Sequence, residues 1–140
     1  MQSIGAPNIR PLSVVAWEST QACNLACRHC RASAQPEPSP DELTTVEVQA
    51  LIDDIASFAH PVLIISGGEP LMRQDVLEIA RYAKERGPRP VISPNGTLIT
   101  PELAAGMVSA GISRVSVSID GSSAARHDAI RGVPGAFDAA

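Results

Sequence analysis

Aromatic residues are scarce in this 140-residue chain, which has one Trp, one Tyr and two Phe. Bases would find little to stack on, and the net charge of −4 comes without a basic run to follow a phosphate backbone. Nucleic-acid binding as the main activity is disfavoured. Long apolar runs are missing as well: the longest, such as Val62-Leu63-Ile64-Ile65, suit a buried strand and not a membrane span. No membrane partner is expected. Cysteine occurs at only three positions, and nothing at the start of the chain looks like an export signal. An odd thiol count argues against a disulfide framework, and the expected setting is a reducing cytoplasm. The length suits one domain with a real core.

What is present centres on Cys23-Asn24-Leu25-Ala26-Cys27-Arg28-His29-Cys30, which holds all three cysteines with C-x3-C-x2-C spacing. Three thiols in one short loop can converge on an inorganic centre. A [4Fe–4S] cube is normally closed by one ligand per iron, so three thiolates leave one iron open to a ligand that is not protein. Zinc is the competing reading. His29 adjoins Cys30 too closely for a usual ligand pair, so a Cys3His zinc site would have to recruit His60 or His127.

Taken in order, residues 1–12 are punctuated by Pro and Gly and expected to be extended, with the domain over residues 13–140. Ser13 to Glu18 reads as a first strand. Alternate prolines at 36, 38 and 40 forbid helix and give an extended connector. Thr44-x-x-Glu47 forms a capping box, with Leu43 and Val48 at staple positions. The helix it starts is expected to reach Phe58, with a core stripe of Val48, Leu51, Ile52, Ile55 and Ala56. Asp53 and Asp54 fall on its solvated side.

Val62 to Ile65 is a second strand. Asp75-x-x-Glu78 is placed to cap a helix that ends at Arg86 before Gly87. Val91 to Ser93 is a third strand closed by the Asn95-Gly96 turn, and Thr100-Pro101 opens a helix that Gly111 ends. Arg114 to Gly121 alternates cleanly and reads as a fourth strand, with Val115, Val117 and Ile119 on one face and Ser116, Ser118 and Asp120 on the other. Repeated strand and helix units mean parallel pairing in an α/β fold. A polar strand face suits a lumen better than a doubly wound sheet, so a partial (β/α) TIM-like barrel is expected, with its chemistry at the C-terminal ends of the strands. The chain stops at Ala140 where a fourth helix is due, and is expected to be the N-terminal part of something longer.

Two further motifs carry chemistry. In Ser66-Gly67-Gly68-Glu69-Pro70, glycines after a buried strand let backbone approach a ligand, and a carboxylate with peptide carbonyls suits an ammonium. Alone, it reads first as an ordinary βα turn with Glu69 near a helix N-terminus. In Ser118-Ile119-Asp120-Gly121 followed by His127-Asp128-x-x-Arg131-Gly132, a serine can donate to a carboxylate and an arginine can clamp one. His127 reads as a helix-start or surface residue. Trp17 and Glu18 face either core or site.

These motifs together resemble the radical S-adenosylmethionine (radical SAM) superfamily over nearly the whole chain, Trp17 to about Phe137. The run from Trp17 to Ala32 resembles the haem-biosynthesis group in particular, within the branch that carries cysteine-rich C-terminal extensions (SPASM or twitch type) and includes peptide maturases. No such extension is in this sequence. The resemblance implies a [4Fe–4S] cluster on Cys23, Cys27 and Cys30 and reductive cleavage of SAM to a 5′-deoxyadenosyl radical. It implies that Gly67, Gly68, Glu69 and Pro70 meet the SAM amino group, so that Glu69→Ala would weaken SAM binding and spare the cluster. Ser118 and Arg131, with Asn95, would meet its carboxylate or ribose, and His29 would lie near the adenine. The implied partners are an electron donor such as flavodoxin or ferredoxin, and a tetrapyrrole or peptide substrate. The rival readings are a zinc-stabilised binding module and an inactive cluster-binding fragment.

Overall fold

The computed structural model describes residues 11–140; the extended segment expected over residues 1–12 lies almost wholly outside them. Three parallel strands form one sheet in the order β1 (Val14–Glu18), β2 (Val62–Ser66), β3 (Arg89–Ile92). Register places Ala16 beside Ile64 and Ile64 beside Val91. Because side chains alternate, Leu63, Ile65 and Ile92 point to one face, where they are buried against α1 (Thr45–Ala56), α2 (Val76–Arg86) and α3 (Pro101–Ser109). Val48, Ile52, Val76, Ile79, Ala83 and Met107 complete that core. The described helices of the core cover one face only, which is how a (β/α) barrel wall is built.

The capping box forms as the sequence predicts. The Glu47 amide donates to Thr44 Oγ1, and the Thr44 amide donates to the Glu47 carboxylate at 2.8 Å. Thr44→Ala is expected to cost about 1 kcal/mol in urea unfolding while leaving iron uptake unchanged, because Thr44 does not line the cysteine cavity and its capping bonds are made only with Glu47. Two details of α1 differ. Leu51 is 40% exposed and Leu43 equally so, because the buried stripe is the narrower row Val48, Ile52 and Ile55 facing α2, which leaves neither the staple nor the wide stripe a surface to cover. The helix also stops at Ala56, two residues short of Phe58.

Asp75 occupies the N-cap of α2 but makes no capping bond. A stronger partner takes it. Arg73 Nε donates to Asp75 Oδ1 at 2.7 Å, Thr45 Oγ1 donates to Oδ2 at 2.6 Å, and the same guanidinium lies over the Trp17 ring. Burial alone would raise the Asp75 pKa, and these bonds overcome it and hold the carboxyl below its ordinary range.

The expected fourth strand is reduced to a single bridge, Ile92 with Val115. The cause is proline. The Ile92 amide donates to the Arg114 carbonyl, and the Ser116 amide donates to the Ile92 carbonyl. Two residues to either side, where the next donors on that edge would stand, are Pro90 and Pro94, whose nitrogens carry no hydrogen. Only their carbonyls take part, accepting from Ser113 and Ser118. The segment therefore lies alongside β3 without a ladder, and Val115, Val117 and Ile119 remain exposed among the described residues. Beyond it the chain forms α4 (Ala124–Arg131) and the one-turn α5 (Ala136–Ala139), of which α4 was not foreseen. No helix among the described residues is long and apolar enough to cross a membrane.

Candidate functional site

The cysteine loop leaves the C-terminal end of β1 and is fastened along both sides. At its base the Cys23 amide donates to the Gln35 carbonyl at 2.7 Å, and the Gln35 amide donates to Gln21. On one side the Gly68 amide donates to Thr20 and the Glu69 amide to Ala22, each at 2.7 Å. On the other the Ala26 and Arg28 amides donate to the carbonyls of Arg131 and Ile130, at 3.0 and 2.9 Å. Those two carbonyls belong to the last turn of α4, where no intrahelical donor remains for them, so the helix end and the loop satisfy each other.

Glycine makes both contacts possible. A Cβ on Gly67 would stand 2.5 Å from the Thr20 carbonyl oxygen, and one on Gly68 would overlap the Ala22 oxygen. The sequence reading assigned these glycines to the approach of a ligand; they also bring the β2 loop against the cysteine loop. Gly132 plays the same part at the end of α4: its φ of +75° is left-handed, and a Cβ would overlap the Ala26 oxygen.

Cys23, Cys27 and Cys30 line one cavity of about 280 Å³, with His29, Gly67, Gly68, Asn95, Ser118 and Arg131 in the same wall. Each sulfur accepts one N–H: Cys23 from the Leu25 amide at 3.4 Å, Cys30 from the Ala34 amide at 3.3 Å, and Cys27 from Arg131 Nη1 at 3.6 Å. Donors aimed at sulfur favour the thiolate, the form that binds metal. For Cys23, burial outweighs its bond from Leu25, and Glu69 and the other two cysteines add to it, so that thiol is pushed up without a cation present.

Arg131 is nearly buried and serves several groups. Besides Cys27, its Nη2 donates to the Ser118 carbonyl at 2.7 Å, and its Nε lies 2.9 Å from Asp120 Oδ2 as a charge contact without hydrogen-bond alignment. One N–H on each terminal nitrogen stays unengaged among the described residues. Asp120 Oδ2 also lies 3.4 Å from His29 Nε2, so one carboxylate stands between the arginine and the residue preceding Cys30.

Two residues of the expected site stand behind the wall instead of in it. Glu69 is 0% exposed, and its carboxylate accepts from the Asn95 amide at 2.6 Å and the Leu71 amide at 3.0 Å. Burial pushes its pKa up against those two bonds and the Arg131 charge. The carboxylate is therefore spent on backbone and is not open to an ammonium from the cavity. Pro70 is buried next to it and starts a short 3-10 turn.

Asn95 lines the cavity, yet its side-chain amide is largely engaged. It donates to Asn24 Oδ1 at 2.8 Å and accepts from the Thr97 amide, tying the turn after β3 to the cysteine loop. Asn24, Thr97 and Asp120 were missed in the sequence; only the asparagine before Cys27 and the polar turn could have signalled the first two. His127 is a further correction. It is 0% exposed inside α4, where its Nδ1 accepts from the Asp120 amide at 3.1 Å and its ring meets the edge of Phe137. Trp17 packs toward the core, while Glu18 lines the cavity.

Among the described residues no three His, Cys, Asp or Glu side chains gather around a point fit for a single metal ion. His60 lies against Gly87 at the opposite end of the sheet from the cysteines, and His127 is buried inside α4 and does not line the cysteine cavity, so neither completes a Cys3His set.

Comparison with known proteins follows the same lines. Residues 17–139 match the family described as the Radical SAM superfamily. The chain is 54% identical over 134 residues to an AdoMet-dependent heme synthase of Nitratidesulfovibrio vulgaris, covering 96% of this chain and 36% of that protein. It is 40% identical over 124 residues to the mycofactocin maturase MftC of Mycolicibacterium smegmatis, covering 89% and 31%. The chain thus spans about a third of the length of the curated relatives it matches. In fold it resembles the structure of native anSMEcpe with bound AdoMet, with a TM-score of 0.73, 22% identity, and coverage of 92% of this chain and 38% of that one.

Proposed function

Since this chain belongs to the radical SAM superfamily, we propose that residues 13–140 are a radical SAM core whose cavity at the C-terminal end of the sheet holds a [4Fe–4S] cluster and SAM. The observation that carries this reading is the set of three thiols in one cavity, each accepting one N–H, opposite a glycine-lined wall. When bound, a cluster on Cys23, Cys27 and Cys30 supplies an open iron for SAM and the electron that cleaves it reductively to methionine and a 5′-deoxyadenosyl radical.

The chain's own residues then bind and orient. Gly67, Gly68 and the peptide groups running to Glu69 and Pro70 present backbone to the SAM amino group; Glu69 acts behind them by holding the Asn95 amide. The two unengaged N–H groups of Arg131, with Ser118, take the carboxylate or ribose. Asn95 stands with them on the carboxylate or ribose side, and His29 borders the adenine. The substrate is a tetrapyrrole, in line with the heme synthase relatives, and a peptide is the second reading, favoured by the maturase relative. A flavodoxin or ferredoxin in the cytoplasm supplies the electron.

The test is anaerobic reconstitution with iron and sulfide, then electron paramagnetic resonance of the reduced chain with and without SAM. A cluster signal that shifts on adding SAM is expected. A cluster blind to SAM would leave an inactive cluster-binding fragment, and stoichiometric zinc with no cluster would leave a zinc-stabilised module.

A further inference from the structure

The face of the sheet turned away from the helices is graded from end to end. Near the cysteines it carries Glu18, Ser66, Ser93 and Ser118; the middle rows are Ala16, Ile64 and Val91; the far end carries Arg89 and Arg114. A second cavity of about 380 Å³ occupies the lower part, lined by Val62, Ile64, Val91, both arginines and three serines, and it shares Ser93 with the cysteine cavity. The two cavities lie along the same face of the sheet and both are bordered by Ser93. Both arginines are exposed, and no ion pair among the described residues involves either. Their backbones lie on neighbouring segments, with the Arg114 carbonyl bonded to the Ile92 amide and Arg89 paired in register with Val62. Ser93 stands four steps along the chain from Arg89, about 13 Å at the usual strand rise.

Nothing in the cofactor site calls for cations at that distance. A substrate reached by the radical does: it must extend from the cysteine cavity along apolar rows, and two guanidiniums at the far end, without an ion pair among the described residues, select an anion there. We infer that Arg89 and Arg114 are substrate-anchoring residues, and that this face of the sheet takes a largely apolar molecule carrying carboxylates on the side remote from the reacting carbon. This rests on the proposed function and sharpens its substrate class. A tetrapyrrole with carboxylate side chains has that form, whereas a peptide has no obligatory anion at a fixed distance from its reacting residue. Binding energy gathered at the remote end serves to position the reacting carbon.

The test is a fluorescence titration of the full chain, with and without its cluster, using coproporphyrin III and its tetramethyl ester as probes. The acid is expected to bind about twenty-five- to a hundredfold more tightly than the ester, since each of the two charged pairs adds about five- to tenfold. Arg89→Gln and Arg114→Gln should each weaken the acid by about five- to tenfold, and the double variant should bring it to the ester's affinity, which the variants leave unchanged. Unchanged urea midpoints and an unchanged SAM-dependent cluster signal in the variants separate this from misfolding and from failure of the radical reading. Equal binding of acid and ester, indifference to both substitutions, absence of binding to the wild-type chain, or preference for an acidic peptide would each overturn the assignment.

Discussion

Replacing Gly132 by alanine is expected to strip the chain of its iron. The residue sits at φ +75°, where a side chain costs about 1–2 kcal/mol. The larger effect is local: the new Cβ would overlap the Ala26 carbonyl oxygen, and both partners there are backbone, so the cysteine loop and the end of α4 must part. That breaks the amide bonds from Ala26 and Arg28 and withdraws Arg131 from Cys27. Iron bound after reconstitution should fall by about ten- to a hundredfold, the usual consequence of disturbing the groups that orient metal ligands. Gly135→Ala is the control, because Gly135 has a similar φ of +83° but open space around it. It should show the backbone cost alone, with iron content intact. Equal iron in both variants would mean that the α4 contact does not shape the loop.

Glu69→Ala should unfold the chain more readily by about 3–5 kcal/mol, because the Asn95 and Leu71 amides would each lose their acceptor inside the protein. This replaces the expectation that the substitution weakens SAM binding alone. Glu69→Gln retains one acceptor oxygen and should cost about 1–2 kcal/mol. The pH dependence has a definite sign. Burial holds the Glu69 carboxyl above its ordinary value, so the folded chain binds that proton more tightly than the unfolded one. Its contribution is present in full below the ordinary glutamate range and is lost as pH rises through the folded value. Glu42 works the other way: burial would raise it, but bonds from the Gln21 and Ser39 amides and the Thr20 hydroxyl hold it below its ordinary value, so its contribution is lost as pH falls. In urea midpoints of the metal-free chain against pH, Glu69→Gln should remove the decline on the alkaline side and keep the acid one. A wild-type and variant difference that does not vary with pH would sink this account.

Local signals explain what could be read from the sequence. The capping box, the buried strand β2 and the thiol spacing each depend on residues within a few positions of one another, and each stands where it was read. Where a distant partner outcompetes a near one, the reading failed. Asp75 is drawn from its helix cap by Thr45 of α1, with Arg73 on its other oxygen, and Glu69 faces backbone instead of a cavity because the Asn95 amide arrives from the turn after β3. Helix α4 gives little sequence signal because it has no apolar stripe: it is held by its end, whose carbonyls accept from amides of the cysteine loop, and by His127 buried in its middle. The fourth strand alternates as a strand should, but whether it forms a ladder depends on its neighbour, and Pro90 in β3 with Pro94 just beyond it deny it one.

That pair of prolines also bears on how the chain survives its own synthesis. Between emergence of Ile92 and arrival of Arg114, the outer edge of β3 has nothing beside it, and an unpaired edge is a template for another chain. With nitrogens at 90 and 94 unable to donate, the Ile92 amide is the one donor left beside the carbonyls of 90, 92 and 94, so an intruding strand finds half of each ladder missing. The half-made sheet is thereby kept from recruiting its copies, and the weak seam left with the Arg114 segment is the counterpart of protection against aggregation.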